Sequence, residues 1–208
     1  MEDKMVIYLI RHGKTPGNEE KRYIGRTDET LSEQGILQLR EKAYPAIDFL
    51  YASPMRRTLR TCELLYPHME IHEIPELSEI DFGEFEGKNY RELSGDTRYQ
   101  AWIDSGGTIP FPGGESRESF IARSCFGFRR MLDDLRQHVQ TDGMKEENIR
   151  AAAIVHGGTI MAILSEYFGG DYFDYQVSGG EGYLVRVRGK DCRIEEVQKL
   201  SFLPSPSS

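Results

Sequence analysis

Apolar and polar positions alternate along this chain in two distinct periods, and those periods set out its elements. Met5-Val6-Ile7-Tyr8-Leu9-Ile10 is a nearly unbroken apolar run rich in β-branched residues, which predicts a strand covered on both faces. Asp48 to Ala52 and Glu70 to His72 read as two further short strands, and Ala151 to Val155 as a central one. Gly182 to Val187 and Arg193 to Leu200, joined by a turn at Gly189-Lys190-Asp191, predict an antiparallel hairpin at the sheet edge. Helical spacing appears between them. Ser32 caps a helix to about Tyr44, where Pro45 ends it. Ser53-Pro54 opens another, with a stripe of Thr58, Leu59, Cys62, Leu65 and Tyr66. Phe120, Ile121, Phe128, Met131, Leu132 and Leu135 mark a long amphipathic helix over Glu115 to His138, and Thr159 to Phe168 is a helix closed by Gly169-Gly170.

Three stretches lack either period. Gly13 to Thr30 reads as a loop, and loops of that length in a small domain usually carry function. Leu77 to Gly83 is loop-like. Lys88 to Gly114 is irregular, with short helices expected at Tyr90–Leu93 and Arg98–Ile103, and is read as a small helical cap inserted over one end of the sheet. The strand and helix alternation predicts a three-layer α/β/α sandwich with a mainly parallel sheet and an antiparallel edge. It forms a single domain over residues 1–203, followed by a disordered tail at 204–208.

Composition narrows the partners. The chain has 208 residues and a net charge of −8, which argues against nucleic acid or an anionic membrane as a broad-surface partner. No run approaches the length of a membrane span and the first residues carry no targeting pattern, so a cytoplasmic location is expected. Cys62, Cys125 and Cys192 are scattered, odd in number and in no ligand spacing, and are read as small apolar fillers. Charge is unevenly spread: residues 1–62 hold 11 basic and 9 acidic residues, or +2, leaving −10 for the remainder. An acidic chain that gathers arginines in one region suits a local pocket for a small anion.

Candidate chemistry sits where apolar strands stop. Arg11-His12-Gly13 follows the first strand and His156-Gly157-Gly158 the central one, so both histidines fall at carboxyl ends of strands, where α/β sheets bind ligands. Arg57 and Glu79 follow two other strands. Taken singly, each histidine also fits a structural role satisfied by backbone, each arginine a solvated helix face, and Glu79 a surface carboxylate. Together they describe one site.

The motifs that join these positions are Arg11-His12-Gly13 with Thr15 and Asn18; then Arg22, Gly25, Asp28, Leu31, Glu33 and Gly35; Ser53-Pro54 with Arg57 and Thr61; Leu77 with Glu79 and Phe82-Gly83-Glu84-Phe85-Glu86-Gly87; Pro112-Gly113-Gly114-Glu115-Ser116; and His156-Gly157-Gly158. In this order they resemble the histidine phosphatase superfamily, the group of cofactor-dependent phosphoglycerate mutases, α-ribazole phosphatases and broad-specificity phosphatases. The resemblance implies that His12 is the phosphorylated nucleophile, that Arg11 and Arg57 hold phosphoryl oxygens, that His156 donates to the same oxygens, and that Glu79 is general acid and then general base. It also implies substrate-binding positions at Asn18, Gly25, Arg22 and Gly157, with no metal and no cofactor. Phosphoryl transfer suits such a set, since the moving group spreads charge over three oxygens and needs positioned cations more than strong bases.

Several positions depart from the usual pattern: Lys14 for an acidic residue, Thr30 for Pro, Arg60-Thr61-Cys62 for Gln-Thr-Ala, Phe85 for Trp and Val155 for Ser. None removes a catalytic group. The compact 88–114 segment favours hydrolysis, which gives a metal-independent phosphomonoesterase acting through phosphohistidine on a small phosphorylated metabolite, with α-ribazole 5′-phosphate as one candidate. Phosphoglycerate mutase and a phospho-ligand binding module without turnover are the alternatives. The expected partner is the small phosphorylated substrate, and a homodimer stays open.

Overall fold

The structure, a computed structural model, describes residues 4–141, 143, 149–188 and 192–200; the expected turn at 189–191 and tail at 204–208 lie outside them. Strands β1 (Lys4–Arg11), β2 (Phe49–Ala52), β3 (Ile71–Glu73), β4 (Arg150–Val155), β5 (Gly182–Arg188) and β6 (Arg193–Lys199) form one sheet in the order β3-β2-β4-β1-β5-β6. The pairs β1/β4, β2/β4 and β2/β3 are parallel, and β1/β5 and β5/β6 are antiparallel. Helices lie on both faces, so the chain folds as an α/β/α sandwich. Among the described residues no helix is long and apolar enough to cross a membrane.

Strand alternation explains the layers. Met5, Ile7 and Leu9 of β1, with Ala151, Ala153 and Val155 of β4, share one face with Tyr51. There they meet Phe128, Met131, Leu132, Leu135 and Val139 of α5 (Arg117–Thr141) and Ile160, Ile163 and Leu164 of α6 (Gly157–Tyr167). Tyr8, Ile10, Leu50, Ala52, Ala152 and Ile154 face the other way, onto Cys62 and Tyr66 at α3 (Arg56–Leu65) and its end. Every β4 position from Ala151 to Val155 is fully buried, as a strand between two covered faces requires. Each buried Leu or Ile contributes about 1.5–3 kcal/mol, so this core fixes the strand register. Cys62, Cys125 and Cys192 are all buried.

Parallel register brings the strand ends together. Arg11 pairs with Val155, and Ala52 pairs with Ile154 and Glu73. The residues that follow, His12, His156 and Ser53, are therefore delivered to one edge.

Local chemistry shifts several boundaries. The 13–30 segment is not all loop: Thr15 and Asn18 form a capping box with Pro16 at the first position, which starts α1 (Pro16–Glu19). Capped by Ser32, α2 (Glu33–Arg40) stops short of Tyr44, whose hydroxyl instead donates to the Gly180 carbonyl. Met55, not Ser53, is the residue before α3, so Pro54 precedes the helix rather than sitting in its first turn. Residues 90–95 are turns, with the Asn89 side chain accepting from the Arg91 and Glu92 amides; α4 (Thr97–Asp104) follows Asp96. α6 begins at Gly157 rather than Thr159. A third apolar cluster of Ile80, Phe85, Leu93, Phe111 and Phe120, edged by Tyr23, Phe82, Tyr99 and Trp102, stands over this end of the sheet.

Candidate active site

His12 is the centre of the converged strand ends and is 3% exposed. Its Nδ1 lies 2.7 Å from the Gly13 carbonyl, which can only accept, so the proton is on Nδ1 and the lone pair on Nε2. The Gly13 amide is held in turn by Thr61 Oγ1 at 3.1 Å, and Thr61 donates to the Arg57 carbonyl at 2.7 Å. Burial pushes the His12 imidazole well below the usual histidine pKa, and Arg57 and Arg11 add to this; the Gly13 bond opposes it. A neutral ring with a free nitrogen is a nucleophile.

His156 is fully buried with its ring centroid 5.1 Å from that of His12, at an interplanar angle of 65°. Arg57 Nε donates to its Nδ1 at 3.3 Å. A guanidinium cannot accept, so the His156 proton sits on Nε2 and is given to Ser53 Oγ at 2.7 Å. The resemblance has His156 donating to phosphoryl oxygens. In this arrangement its donor points at Ser53, and donation from Nδ1 requires the ring proton to change nitrogens while the Ser53 hydroxyl turns to donate. Burial, followed by Arg57, His12 and Arg11, also lowers the His156 pKa well below its ordinary value.

Arg57 is fully buried, with Nη1 bonded to the Thr27 carbonyl at 2.9 Å and Nη2 to the Gly25 carbonyl at 2.8 Å. Gly25 therefore orients this cation, and its own amide is held by Glu86. A Cβ at Gly25 would lie 2.0 Å from the Ile80 carbonyl, so only glycine permits the approach. Arg11 gives Nη1 to the Val177 carbonyl at 2.7 Å, while its buried Nε has no partner among the described residues. Gly157 packs against that guanidinium, where an added Cβ would stand 3.4 Å from Nε. Burial lowers both arginine pKa values and Glu79 raises them; both groups keep their charge at any working pH.

Glu79 is partly buried, accepting from the Ile80 amide at 3.0 Å and the Gly158 amide at 3.3 Å. Desolvation raises its pKa, against the pull of those amides and of Arg57 and Arg11. Its loop is clamped from α5 by Arg123, which donates to the carbonyls of Glu76, Ser78 and Glu79 and pairs with Glu115 at 2.8 Å.

The structure thus brings Arg11, His12, Arg57, Glu79, His156, Gly25 and Gly157 together. Asn18 is used locally, its Oδ1 accepting from the Thr15 amide. Arg22 turns away: its guanidinium meets Glu20, Glu92 and the Gly87 carbonyl, so it ties the loop to the segment beyond Phe85. Ser53, Thr61, Glu86 and Gly158 belong to the quoted motifs without having been given a role. Arg123 had no sequence signal, because an arginine in a helical pattern reads as a solvated face.

Two cavities meet at Glu79. One, about 290 Å³, reaches Arg11, Gly157 and Gly158 and is walled by Tyr23, Phe82, Trp102, Phe111 and Tyr172. The other, about 700 Å³, is more polar and runs along Arg26, Asp81, Glu115 and Arg123. Of the two, the aromatic cavity touches more of the reactive groups.

Comparison with known proteins identifies the family and the fold. The sequence pattern of the histidine phosphatase superfamily (branch 1) matches residues 7–198. The uncharacterized phosphatase PhoE of Bacillus subtilis strain 168 is 29% identical over 171 residues, covering 79% of this chain and 78% of that protein. The fold superposes on the α-ribazole phosphatase from Shigella flexneri with a TM-score of 0.73 at 23% identity, over 97% of this chain and 96% of the other. A phosphoglycerate mutase from Thermus thermophilus gives a TM-score of 0.64 at 31% identity, over 95% of this chain and 100% of the other.

Proposed function

This chain belongs to the histidine phosphatase superfamily (branch 1), and from that premise we propose that it is a metal-independent phosphomonoesterase working through phospho-His12. The observation that carries the reading is a charge imbalance. Two guanidiniums, fully buried Arg57 and half-buried Arg11, face two neutral imidazoles and Glu79, whose pKa is raised; Asp28, Glu86 and Glu29 act on Arg57 more weakly than Glu79 does. Such a site favours a bound anion of about one to two charges. The unpartnered Arg11 Nε supplies a donor for it.

In the proposed reaction the Nε2 lone pair of His12 attacks phosphorus in line, the P–O bond to the alcohol breaks, and protonated Glu79 gives its proton to the leaving oxygen. Phosphohistidine then retains its Nδ1–H bond to Gly13. Glu79, now ionised, takes a proton from water, which attacks phosphorus and returns the electron pair to His12 Nε2. Arg11 and Arg57 offset the charge on the equatorial oxygens throughout.

The organic part of the substrate is placed in the aromatic cavity. Its walls, with a buried Trp102 Nε1 that has no partner among the described residues, suit an aromatic or ribosyl leaving group such as that of α-ribazole 5′-phosphate. Arg117 also lines this cavity and suits a carboxylate, so the preference for hydrolysis over the mutase reaction rests on the compact 88–114 segment and not on the lining. The test is acid-quenched phosphoenzyme trapping with an aryl phosphate. Wild type is expected to label and His12→Ala to stay blank; a labelled His12→Ala, or an unlabelled wild type that still releases phosphate, overturns the assignment. A coupled phosphoglycerate isomerisation assay separates the mutase reading.

A further inference from the structure

On the face of the sheet that packs against α5, at the edge strand β3, three ligand-type side chains converge. His72 comes from β3; Asp134 and His138 come from α5 at i and i+4, so both project from one side of that helix. Asp134 Oδ2 lies 3.9 Å from His72 Nδ1 and 3.6 Å from His138 Nε2, and all three ligand atoms fall within 4.8 Å of one another. Those separations exceed a hydrogen bond, for which about 2.7–3.2 Å is required. The groups therefore point at a common gap without closing it.

The gap has the size of a metal ion. Zinc takes nitrogen and carboxylate oxygen at about 2.0–2.2 Å, which puts tetrahedral ligands about 3.3 Å apart, so adjustments of about half an ångström per side chain complete the set. The surroundings fix the ligands. Tyr51, paired with His72 in the β2/β3 register, donates its hydroxyl to Asp134 Oδ2 at 2.9 Å. The His72 ring lies 5.1 Å from that of Tyr51, and the His138 ring is 4.8 Å from His72 and 5.8 Å from Phe49. An outer donor on a ligating carboxylate and aromatic walls on the imidazoles are how first ligands are held in orientation. The three side chains are 20–40% exposed, which gives an ion a path in and water a fourth position.

We propose that His72, Asp134 and His138 form a binding site for one divalent transition-metal cation of the zinc class. Two imidazoles and one carboxylate select such borderline ions over magnesium or calcium, which need more oxygen ligands. The site is separate from the phosphoryl chemistry. It joins the edge strand β3, from which the chain runs on to Glu79, to α5, the helix whose Arg123 clamps the Glu79 loop.

Calorimetric titration of the chelator-stripped full-length chain with Zn2+ alone, and absorption spectra with Co2+, test the site. One equivalent per chain is expected, with visible Co2+ bands of a four- or five-coordinate centre and a rise in Tm on Zn2+ addition. His138→Ala and Asp134→Asn are each expected to weaken binding at least about tenfold, and His72→Asn to change the Co2+ spectrum; circular dichroism checks that each variant is folded. His12→Ala is expected to bind Zn2+ as wild type does. No uptake, or uptake unchanged in folded His138→Ala and Asp134→Asn, overturns the proposal. Loss of binding in His12→Ala assigns the ion to the active site and overturns it as well.

Discussion

The molecule holds two histidine pairs of nearly the same shape. His12 and His156 meet with ring centroids 5.1 Å apart at 65°, and His72 and His138 at 4.8 Å and 63°. What differs is the company each keeps. The first pair is buried, which keeps both rings neutral with help from two nearby guanidiniums, and those cations leave the site short of negative charge. The second is partly exposed around a carboxylate. Ring geometry alone thus assigns no chemistry; neighbouring charge does, calling for an anion in one place and a cation in the other.

The largest effect that sharpens this contrast is loss of the nucleophile. Aryl phosphatase kcat in His12→Ala is expected to fall about ten-thousand-fold or more, since no other group at the site replaces an attacking nitrogen. Steady-state assays against the wild type check it, and residual activity within tenfold would move the nucleophile elsewhere. Arg57→Ala comes next. It removes a fully buried cation that reaches His156 and the carbonyls of Gly25 and Thr27, and a loss of about a hundred- to thousand-fold in kcat/KM is expected, with weaker inhibition by inorganic phosphate. Unchanged phosphate inhibition would show that the anion does not rest on this guanidinium.

Glu79→Gln discriminates by leaving group. In kcat/KM, which reads the phosphorylation step and not the later attack of water, an alkyl phosphate needs the acid and is expected to lose about a hundredfold, whereas an aryl phosphate with a stable phenolate loses far less. Glu79 donates only while protonated, and burial raises its pKa, so alkyl phosphatase kcat/KM falls as pH climbs through that raised value. Glu79→Gln is expected to abolish this limb. A pH profile with the limb intact would assign the acid to another residue.

The active-site pair was legible in the sequence because each histidine follows a buried apolar strand at a glycine, and parallel strands put their carboxyl ends at one edge. Arg57 and Glu79 emerged the same way. The second pair carries no such mark: His72 sits in a three-residue strand, and Asp134 and His138 stand on the polar flank of a long helix, where a charged residue ordinarily means solvent. Only the pairing of β3 with β2 and the packing of α5 bring them together. Arg123 was hidden for the same reason. Arg22 shows the reverse error, a motif position whose side chain the fold spends on Glu20 and Glu92. The boundaries that moved are those decided by single side-chain bonds, such as the Thr15 capping box and the Tyr44 hydroxyl.

The smallest effects concern what anchors each pair, and both anchors come from the same stretch of chain. Tyr51 in β2 donates to Asp134, and Ser53, just past its end, accepts from His156. Ser53→Ala leaves the His156 Nε2–H buried with no acceptor, a cost of about 1–3 kcal/mol in unfolding free energy. It is also expected to lower kcat about tenfold with little change in KM, because Ser53 acts through the ring it orients. Ser53→Thr, which keeps the hydroxyl, is expected to recover most of the kcat. Tyr51→Phe removes a donor whose carboxylate partner still reaches solvent, so its cost is expected to be nearer 0.5–1.5 kcal/mol, the net worth of about one hydrogen bond. Urea unfolding of the two variants side by side reads the difference. Equal losses would mean that the active-site pair is no more tightly sealed than the outer one, and the contrast between a dry anion site and a wet cation site would fail at its foundation.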